Sequence, residues 1–318
     1  LTMNLLIARP MTAEVEARAR AEFDVEIRAN TAVLSQDEMV RALQDYDVVM
    51  PTLGDAFGAE IFSRVPAPRC KLLANFGVGF NHIDVATAAA HGVQVSNTPG
   101  AVTDATADIA LTLILMSARR AAEGERLVRS GNWPGWHPTQ MLGQHVTGKK
   151  LGIIGMGRIG EAIARRCHFG FGMQVAYIAR SDKNPGFAAT RMPDLMQMAA
   201  EVDFLVVSVP GGAETRHLVD ETVLAVMQPT AHLINIARGE VVQQEALIAA
   251  LQDQRIGGAG LDVYEFEPEV PQALCDLNNV TLLPHLGTAT DEVRSAMGHM
   301  ALDNVAAFAA GKALLNPV

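Results

Sequence analysis

Cysteine is scarce. Cys70, Cys167 and Cys275 are the only three in 318 residues, they lie far apart, and no CxxC pair occurs. This excludes a disulfide framework and a zinc site, and it fits a reducing compartment. No metal is expected. A long apolar run is also missing. The longest, residues 105–118, carries Asp108 and falls short of the roughly 20 residues a membrane span needs. The opening Leu1-Thr2-Met3-Asn4-Leu5-Leu6 is too short an apolar stretch for a signal peptide, with a charge soon after at Arg9. Basic excess is absent as well. A formal net charge of −10 argues against a nucleic-acid partner, which wants a basic face. It does not forbid an anionic ligand, because a few arginines can dominate one cleft. No repeat or low-complexity segment occurs. The expectation is a cytoplasmic protein with no membrane and no nucleic-acid partner.

What remains is globular composition, 49% hydrophobic and 19% charged. At about 100–200 residues per domain, the length predicts two domains. The first third alternates between two periods. Apolar bursts at 5–8, 48–50, 72–76 and 93–95 read as buried strands. Residues 12–23 and 36–46 read as helices, the second opened by Ser35 and Glu38 as a capping box. A Pro/Gly break at 97–100 precedes a long helix predicted over 102–130 and ended by Gly131. Residues 132–148 then read as an ordered loop holding Trp133 and Trp136. A second alternating unit follows, with strands at 151–154, 174–179, 204–209, 232–236, 260–263 and 280–283. Its helices include 157–169 and 239–254, the latter closed by Gly257-Gly258, and a final helix spans 290–310. Such alternation predicts doubly wound α/β domains with parallel sheets.

Residues Leu151-Gly152-Ile153-Ile154-Gly155-Met156-Gly157-Arg158-Ile159-Gly160 run from an apolar strand through GxGxxG into a helix. Gly155 allows the tight turn, Gly157 lets the backbone approach a pyrophosphate, and Gly160 lets the helix pack close to the strand. The free N–H groups and positive end of that helix then face the phosphates. The plainer reading is a Gly-rich structural turn, but the strand before and helix after are what the motif requires. An NAD site places an acid about 20 positions on, bonded to the ribose 2′-hydroxyl. Here the next strand ends Tyr177-Ile178-Ala179-Arg180-Ser181-Asp182-Lys183, and Ala179 stands where that acid would align. Arg180 with the Ser181 hydroxyl suits a 2′-phosphate. NADP(H) is therefore the preferred cofactor. NAD(H) is the alternative, with Asp182 as the ribose acid and Arg180 facing solvent.

Three further segments each end a predicted strand: Asn235-Ile236-Ala237-Arg238-Gly239, then 262–268, then Leu283-Pro284-His285-Leu286-Gly287. Ligands of open α/β sheets bind outside the carboxyl ends of strands. An arginine, an acid and a histidine at one edge suit reduction of a 2-keto acid. The cation binds the carboxylate and polarises the carbonyl, the histidine protonates the nascent alkoxide, and the acid orients the histidine and favours its charged form.

At these residues the chain resembles the D-isomer-specific 2-hydroxyacid dehydrogenases, most closely their glyoxylate/hydroxypyruvate reductase branch. The resemblance spans nearly the whole chain, through Gly77-Val78-Gly79, 103–115, 151–160, 209–220, 235–240, 260–268 and 284–290. It implies His285 as acid/base, Glu267 as its carboxylate and Arg238 as substrate-binding cation. The family's acid immediately precedes a proline, which favours Glu267 over Glu265. Cofactor contacts are implied at Thr106, Val209, Pro210, Thr215, Ile236, Ala237, Asp262 and Gly287, with Asp262 toward the nicotinamide end.

Gly77 and Gly79 around Val78 also expose successive N–H groups, an anion nest. The resemblance implies that the Val78 and Gly79 amides hold a substrate carboxylate and that Leu53 lines a small pocket. It implies a Rossmann dinucleotide-binding domain at 98–290 and a discontinuous flavodoxin-like substrate domain at 1–97 and 291–318, with a cleft between them, in a homodimer. The long helix and the loop after it are the expected interface, where Trp136 either reaches the partner's cleft or only packs. The expected reaction is NADPH-dependent reduction of glyoxylate or hydroxypyruvate. The rivals are an NAD-dependent dehydrogenase for a bulkier hydroxy acid and a dinucleotide-sensing binding protein with little turnover. The other histidines, 82, 91, 137, 145, 168, 217, 232 and 299, are expected to lack an Arg/Glu pair.

Overall fold

The computed structural model describes residues 3–318, so Leu1 and Thr2 of the N-terminal stretch lie outside the described residues. The chain divides into two compact units, one running to Val102 and resumed at Ala289–Val318, the other Thr103–Thr288. The sequence predicts these borders at 97/98 and 290/291.

The first unit carries β1 (Asn4–Ile7), β2 (Asp24–Ile27), β3 (Val48–Met50), β4 (Leu72–Ala74) and β5 (Gln94–Ser96). They form a parallel sheet in the order β2-β1-β3-β4-β5, the flavodoxin-like winding. β3 and β4 are buried throughout, which explains their unbroken apolar sequence. β2 has no such signal because it is an edge strand. Its Asp-Val-Glu-Ile alternates exposed and half-buried residues and makes no apolar burst. Helix Gln36–Asp45 opens on the expected capping box, with the Glu38 N–H donating to Ser35 Oγ at 3.3 Å and the Ser35 N–H to Glu38 Oε2 at 2.8 Å. The final helix, Asp291–Ala309, is capped by Thr290 Oγ1, which accepts from the Val293 N–H at 3.2 Å.

The second unit carries β6 (Lys150–Ile154), β7 (Gln174–Ile178), β8 (Ala189–Arg191), β9 (Phe204–Val207), β10 (His232–Asn235), β11 (Gly258–Leu261) and β12 (Val280–Leu282). Its parallel order is β12-β11-β10-β9-β6-β7-β8. Read from β8, this is the doubly wound dinucleotide order with one strand added. The winding reverses between β6 and β9, and that switch point is where such sheets bind ligands. β8 is short, polar and at the edge, and the sequence does not announce it either.

Two helices differ from expectation. The stretch 102–130 is not one helix. It is Thr103–Ala118 followed by Ala121–Arg129, broken at Arg120, whose φ of 53° is left-handed. The Arg120 guanidinium grips both Glu123 oxygens at 2.8 Å and starts the new helix. Seven residues of the first helix are buried and none of the second, so the two serve different surroundings. The stretch 239–254 begins as a 3-10 turn, Gly239–Val241, and becomes α-helical only at Gln244–Gln252. Between them Val242 is extended and bridged to Val219. β11 also starts at Gly258, one of the glycines expected to close that helix.

Candidate active site

The glycine loop leaves β6 with Gly155 at φ +98°, a left-handed turn in which a Cβ would lie 2.7 Å from the Ser208 carbonyl oxygen. A Cβ on Gly160 would lie 2.1 Å from the Gly155 carbonyl oxygen, so helix Arg158–Phe171 sits directly on the loop. Gly157 differs from both. Its Cβ position has nothing within 4 Å, and it stands as the N-cap of that helix with no side-chain partner. Open space over a bare helix N-terminus fits a pyrophosphate. Met156 is buried beneath the loop, Ile159 is half-buried, and Arg158 is exposed.

Beyond β7, Arg180 and Ser181 are exposed, and the Arg180 guanidinium has no partner among the described residues. Asp182 is engaged. Its Oδ1 accepts from Arg191 Nη1 at 2.9 Å, and Arg191 also holds the Ala179 carbonyl at 3.0 Å. That arginine comes from β8, and sequence reasoning misses it along with its strand. Across the switch point, Val209 is half-buried and Pro210 exposed. Thr215 Oγ1 donates to the Pro210 carbonyl at 2.6 Å, which folds the segment back. Ile236 and Ala237 are buried at the end of β10.

The chemistry gathers on the turns after β10, β11 and β12. Asn235 shapes the first turn, its Oδ1 accepting from the Ala237 N–H at 3.0 Å and its Nδ2 donating to the Arg238 carbonyl at 3.0 Å. Gly239 then meets the next loop with no room for a side chain, since a Cβ would lie 1.8 Å from the Tyr264 carbonyl carbon. Arg238 is thereby set beside the loop that bears Glu267. Its Nη1 donates to the Ala237 carbonyl at 2.7 Å, and its Nε is buried without a partner. A buried, unsatisfied donor on a cation is costly, and it marks a place where an anion could be received. Burial pulls the guanidinium below its ordinary pKa, opposed by the charges of Glu267 and Glu240.

His285 Nδ1 lies 2.8 Å from Glu267 Oε2, with the two side chains 31% and 29% exposed. The other oxygen, Oε1, accepts from the Tyr264 N–H at 3.0 Å. Burial would raise the Glu267 pKa. The hydrogen bond and charge of His285, the Tyr264 N–H and the Arg238 charge together hold it below the ordinary glutamate range. Sequence reasoning misses Tyr264, yet it serves both partners, because its hydroxyl donates to the Leu283 carbonyl at 2.8 Å. His285 has φ +56°, a left-handed conformation that a histidine adopts only when its surroundings impose it. Its N–H donates to the Asp262 carbonyl at 2.9 Å.

Asp262 is buried, and both its oxygens face this same turn. Oδ1 accepts from the Leu286 N–H at 2.7 Å and Oδ2 from the Gly287 N–H at 2.8 Å. Burial lifts its pKa despite those amides. Thr106 Oγ1 donates to the Gly287 carbonyl at 3.1 Å. The polar atoms of both residues therefore already fix the 285–287 turn from within.

In the first unit, buried Asn75 donates through Nδ2 to the carbonyls of Gly77 and Gly79 at 3.1 and 3.0 Å. This turns the carbonyls inward, and among the described residues the N–H groups of Val78 and Gly79 donate to nothing. Val78 is 37% and Leu53 38% exposed, and the Leu53 carbonyl is held by Arg9 Nη1 at 3.1 Å.

Two histidines depart from expectation. His217 Nε2 lies 2.7 Å from Glu265 Oε1, beside Arg216 at 3.2 Å from the same oxygen. His299 Nε2 lies 3.1 Å from Glu14 Oε1, and Arg18 binds the His299 carbonyl at 3.2 Å. Both pairings join residues far apart in the chain, so neither is visible from sequence neighbours. Glu265 is thus committed to His217 and Arg216, while Glu267 faces His285.

The model of the D-isomer specific 2-hydroxyacid dehydrogenase NAD-binding domain matches residues 111–287. A glyoxylate reductase of Thermococcus onnurineus is 42% identical over 316 residues, covering 97% of this chain and 93% of that protein. A putative D-isomer specific 2-hydroxyacid dehydrogenase from Polaromonas sp. superposes with a TM-score of 0.93 at 36% identity, covering 100% of both chains. An NADPH-dependent glyoxylate/hydroxypyruvate reductase from Sinorhizobium meliloti, solved with NADP and malonate, superposes with a TM-score of 0.87 at 36% identity, covering 100% of this chain and 97% of that one. The chain belongs to the D-isomer-specific 2-hydroxyacid dehydrogenase family, in its glyoxylate reductase branch, and is an NAD(P)-dependent oxidoreductase.

Proposed function

We propose that the protein reduces a small 2-keto acid, glyoxylate or hydroxypyruvate, to the D-2-hydroxy acid, with NADPH preferred over NADH. The observation that carries this reading is the His285–Glu267 pair at 2.8 Å, next to an arginine whose buried Nε has no partner. Arg238 binds the substrate carboxylate and polarises the keto oxygen. Glu267 accepts from Nδ1 and so leaves Nε2 as the proton donor. His285 delivers that proton to the oxygen as the C–O double bond becomes single. The nicotinamide, when bound, supplies the hydride to the keto carbon. The Val78 and Gly79 amides are proposed as a second carboxylate contact, and Leu53 as a pocket wall.

Gly155, Gly157 and Gly160 hold the pyrophosphate. Arg180, whose guanidinium has no partner among the described residues, and Ser181 receive the 2′-phosphate. Asp182 is occupied by Arg191, which speaks against its service as a ribose acid. The Sinorhizobium relative's dependence on NADPH supports the same preference. A homodimer is proposed through helix Ala121–Arg129 and the loop after it. That helix buries no residue, and Val128, Trp136 and Leu142 stand 61%, 79% and 67% exposed. Patches of this kind mark interfaces. Among the described residues no helix is long and apolar enough to cross a membrane.

The test is nicotinamide oxidation by the purified protein, with NADPH and NADH in parallel against glyoxylate, hydroxypyruvate, pyruvate and a longer 2-keto acid. Fast turnover of NADPH with the first two is expected. Tight cofactor binding without turnover of any acid, or a preference for NADH and the longest acid, would overturn the reading.

A further inference from the structure

Glu265 lies two residues before Glu267, yet its carboxylate is almost fully buried, at 6% exposure. Oε1 receives His217 Nε2 at 2.7 Å and Arg216 Nη2 at 3.2 Å. Oε2 accepts from the Gln244 N–H at 3.3 Å, and Gln244 Oε1 accepts from the Glu265 N–H at 3.3 Å. A carboxylate accepts only, so His217 must present Nε2 as an N–H donor. A buried charge is retained only where such partners offset its desolvation.

These partners come from two other segments. Gln244 opens helix Gln244–Gln252. Arg216 and His217 end the stretch that begins at Gly211. His217 is itself left-handed at φ 51°, and its N–H donates to the Glu240 carbonyl at 2.8 Å. The Glu240 side chain holds the same stretch at its other end, accepting from the Gly212 N–H at 2.8 Å. Between Glu265 and Glu267 stands Phe266, 62% exposed, which contributes little packing to hold the loop. Glu267 is held by the Tyr264 N–H, by the anchored Glu265 before it, and by the turn in which the Glu269 N–H donates to the Phe266 carbonyl at 2.9 Å.

We propose that Glu265 is a positioning residue for hydride transfer: its buried carboxylate fixes the loop that presents Glu267 to His285 and, through Arg216 and His217, ties the 211–215 stretch to the same frame. This rests on the reading of Glu267 as the group that orients His285. Glu265 touches no reacting atom and acts through Glu267. The charged and titratable groups facing Glu265 are Arg216 and His217. Those acting on Glu267 are His285 and Arg238.

The test is a double-mutant cycle on kcat with the best 2-keto acid, using E265Q, E267Q and the double variant, each assayed well below its thermal midpoint. E265Q is expected to lower kcat roughly ten-fold, inside the ~10²-fold that a 1 Å misplacement can cost. It is expected to cost nothing further once Glu267 is already Gln, because residues acting as a unit are non-additive. An unchanged kcat in E265Q, or an equal loss in both backgrounds, would mean that Glu265 holds the fold alone, and the proposal fails. A wild-type kcat in E267Q would overturn the reading of Glu267 as well. If E265Q does not fold, H217A removes the shortest contact while leaving the carboxylate with Arg216 and Gln244, and the same cycle decides.

Discussion

Replacing Glu267 by glutamine removes one charge and scarcely any volume, so its effect is set by the hydrogen bonds around the carboxylate. Both oxygens accept, Oε2 from His285 Nδ1 at 2.8 Å and Oε1 from the Tyr264 N–H at 3.0 Å. Glutamine offers one acceptor and one donor. If its oxygen keeps Tyr264, its NH2 group faces Nδ1. The imidazole must then accept there and cannot become the charged acid without two donors meeting. If its oxygen keeps His285, the NH2 group meets the Tyr264 N–H instead. Either arrangement loses a hydrogen bond to a charged group, about 1.5–3 kcal/mol, and leaves a donor opposed, about 1–3 kcal/mol. Taken together as roughly 3–5 kcal/mol, at about 1.4 kcal/mol per decade, kcat should fall about 10²- to 10⁴-fold. Steady-state oxidation of NADPH at saturating keto acid measures this, with 4-deuterated cofactor to verify that hydride transfer limits turnover. A full isotope effect with wild-type kcat in E267Q would refute the reasoning, because His285 would then need no anionic partner.

Three other perturbations probe the same geometry. Arg180→Ala should raise the NADPH Kd roughly 10- to 100-fold, the worth of a hydrogen bond to a charged group, and barely alter NADH. Equal losses for both cofactors in a fluorescence titration would remove Arg180 from the 2′-phosphate. Gly239→Ala must accommodate a Cβ placed 1.8 Å from the Tyr264 carbonyl carbon, so at least the ~1–3 kcal/mol of ordinary overpacking is expected. Calorimetry giving a wild-type Tm would refute the close approach of the two turns. Glu267, with its folded pKa held below the ordinary 4.5, contributes stability that is present above that value and lost as pH falls through the folded one. Asp262, raised by burial, acts with the opposite sign, so the comparison is with E267Q, whose urea midpoint should fall less steeply than wild type below about pH 4.5. Parallel slopes would contradict the depressed pKa.

The parts of the fold legible in the sequence are those where burial and periodicity coincide. β3, β4 and β9 are buried at every position and therefore apolar at every position. β2 and β8 lie at sheet edges, half wet, and carry no such burst. The break at Arg120 has no local signal either. Arginine and alanine favour helix on both sides of it, and local propensity alone would continue the helix. Only the change from a buried helix to one with no buried residue explains the left-handed turn, and that is a tertiary fact.

The site divides along the same line. Arg238, Glu267 and His285 are legible because each stands beside a glycine or proline at the end of an apolar strand. A parallel sheet brings such ends to one edge whatever the sequence between them. The division of labour between two carboxylates two residues apart is legible only through the resemblance to a family whose acid precedes a proline. The physical reason lies in their surroundings. Glu265 is closed in by a histidine and an arginine 48 and 49 positions earlier in the chain. Glu267 stays 29% exposed against His285. Both oxygens of the buried Glu265 are spent on His217, Arg216 and the Gln244 N–H, whereas the more exposed Glu267 gives one oxygen to the Tyr264 N–H and keeps the other for the His285 imidazole. Sequence spacing cannot separate these cases, because both acids arrive on the same loop. The partners separate them, and the two charged or ionisable partners of Glu265 come from the 211–217 stretch, whose sequence suggests only cofactor contacts.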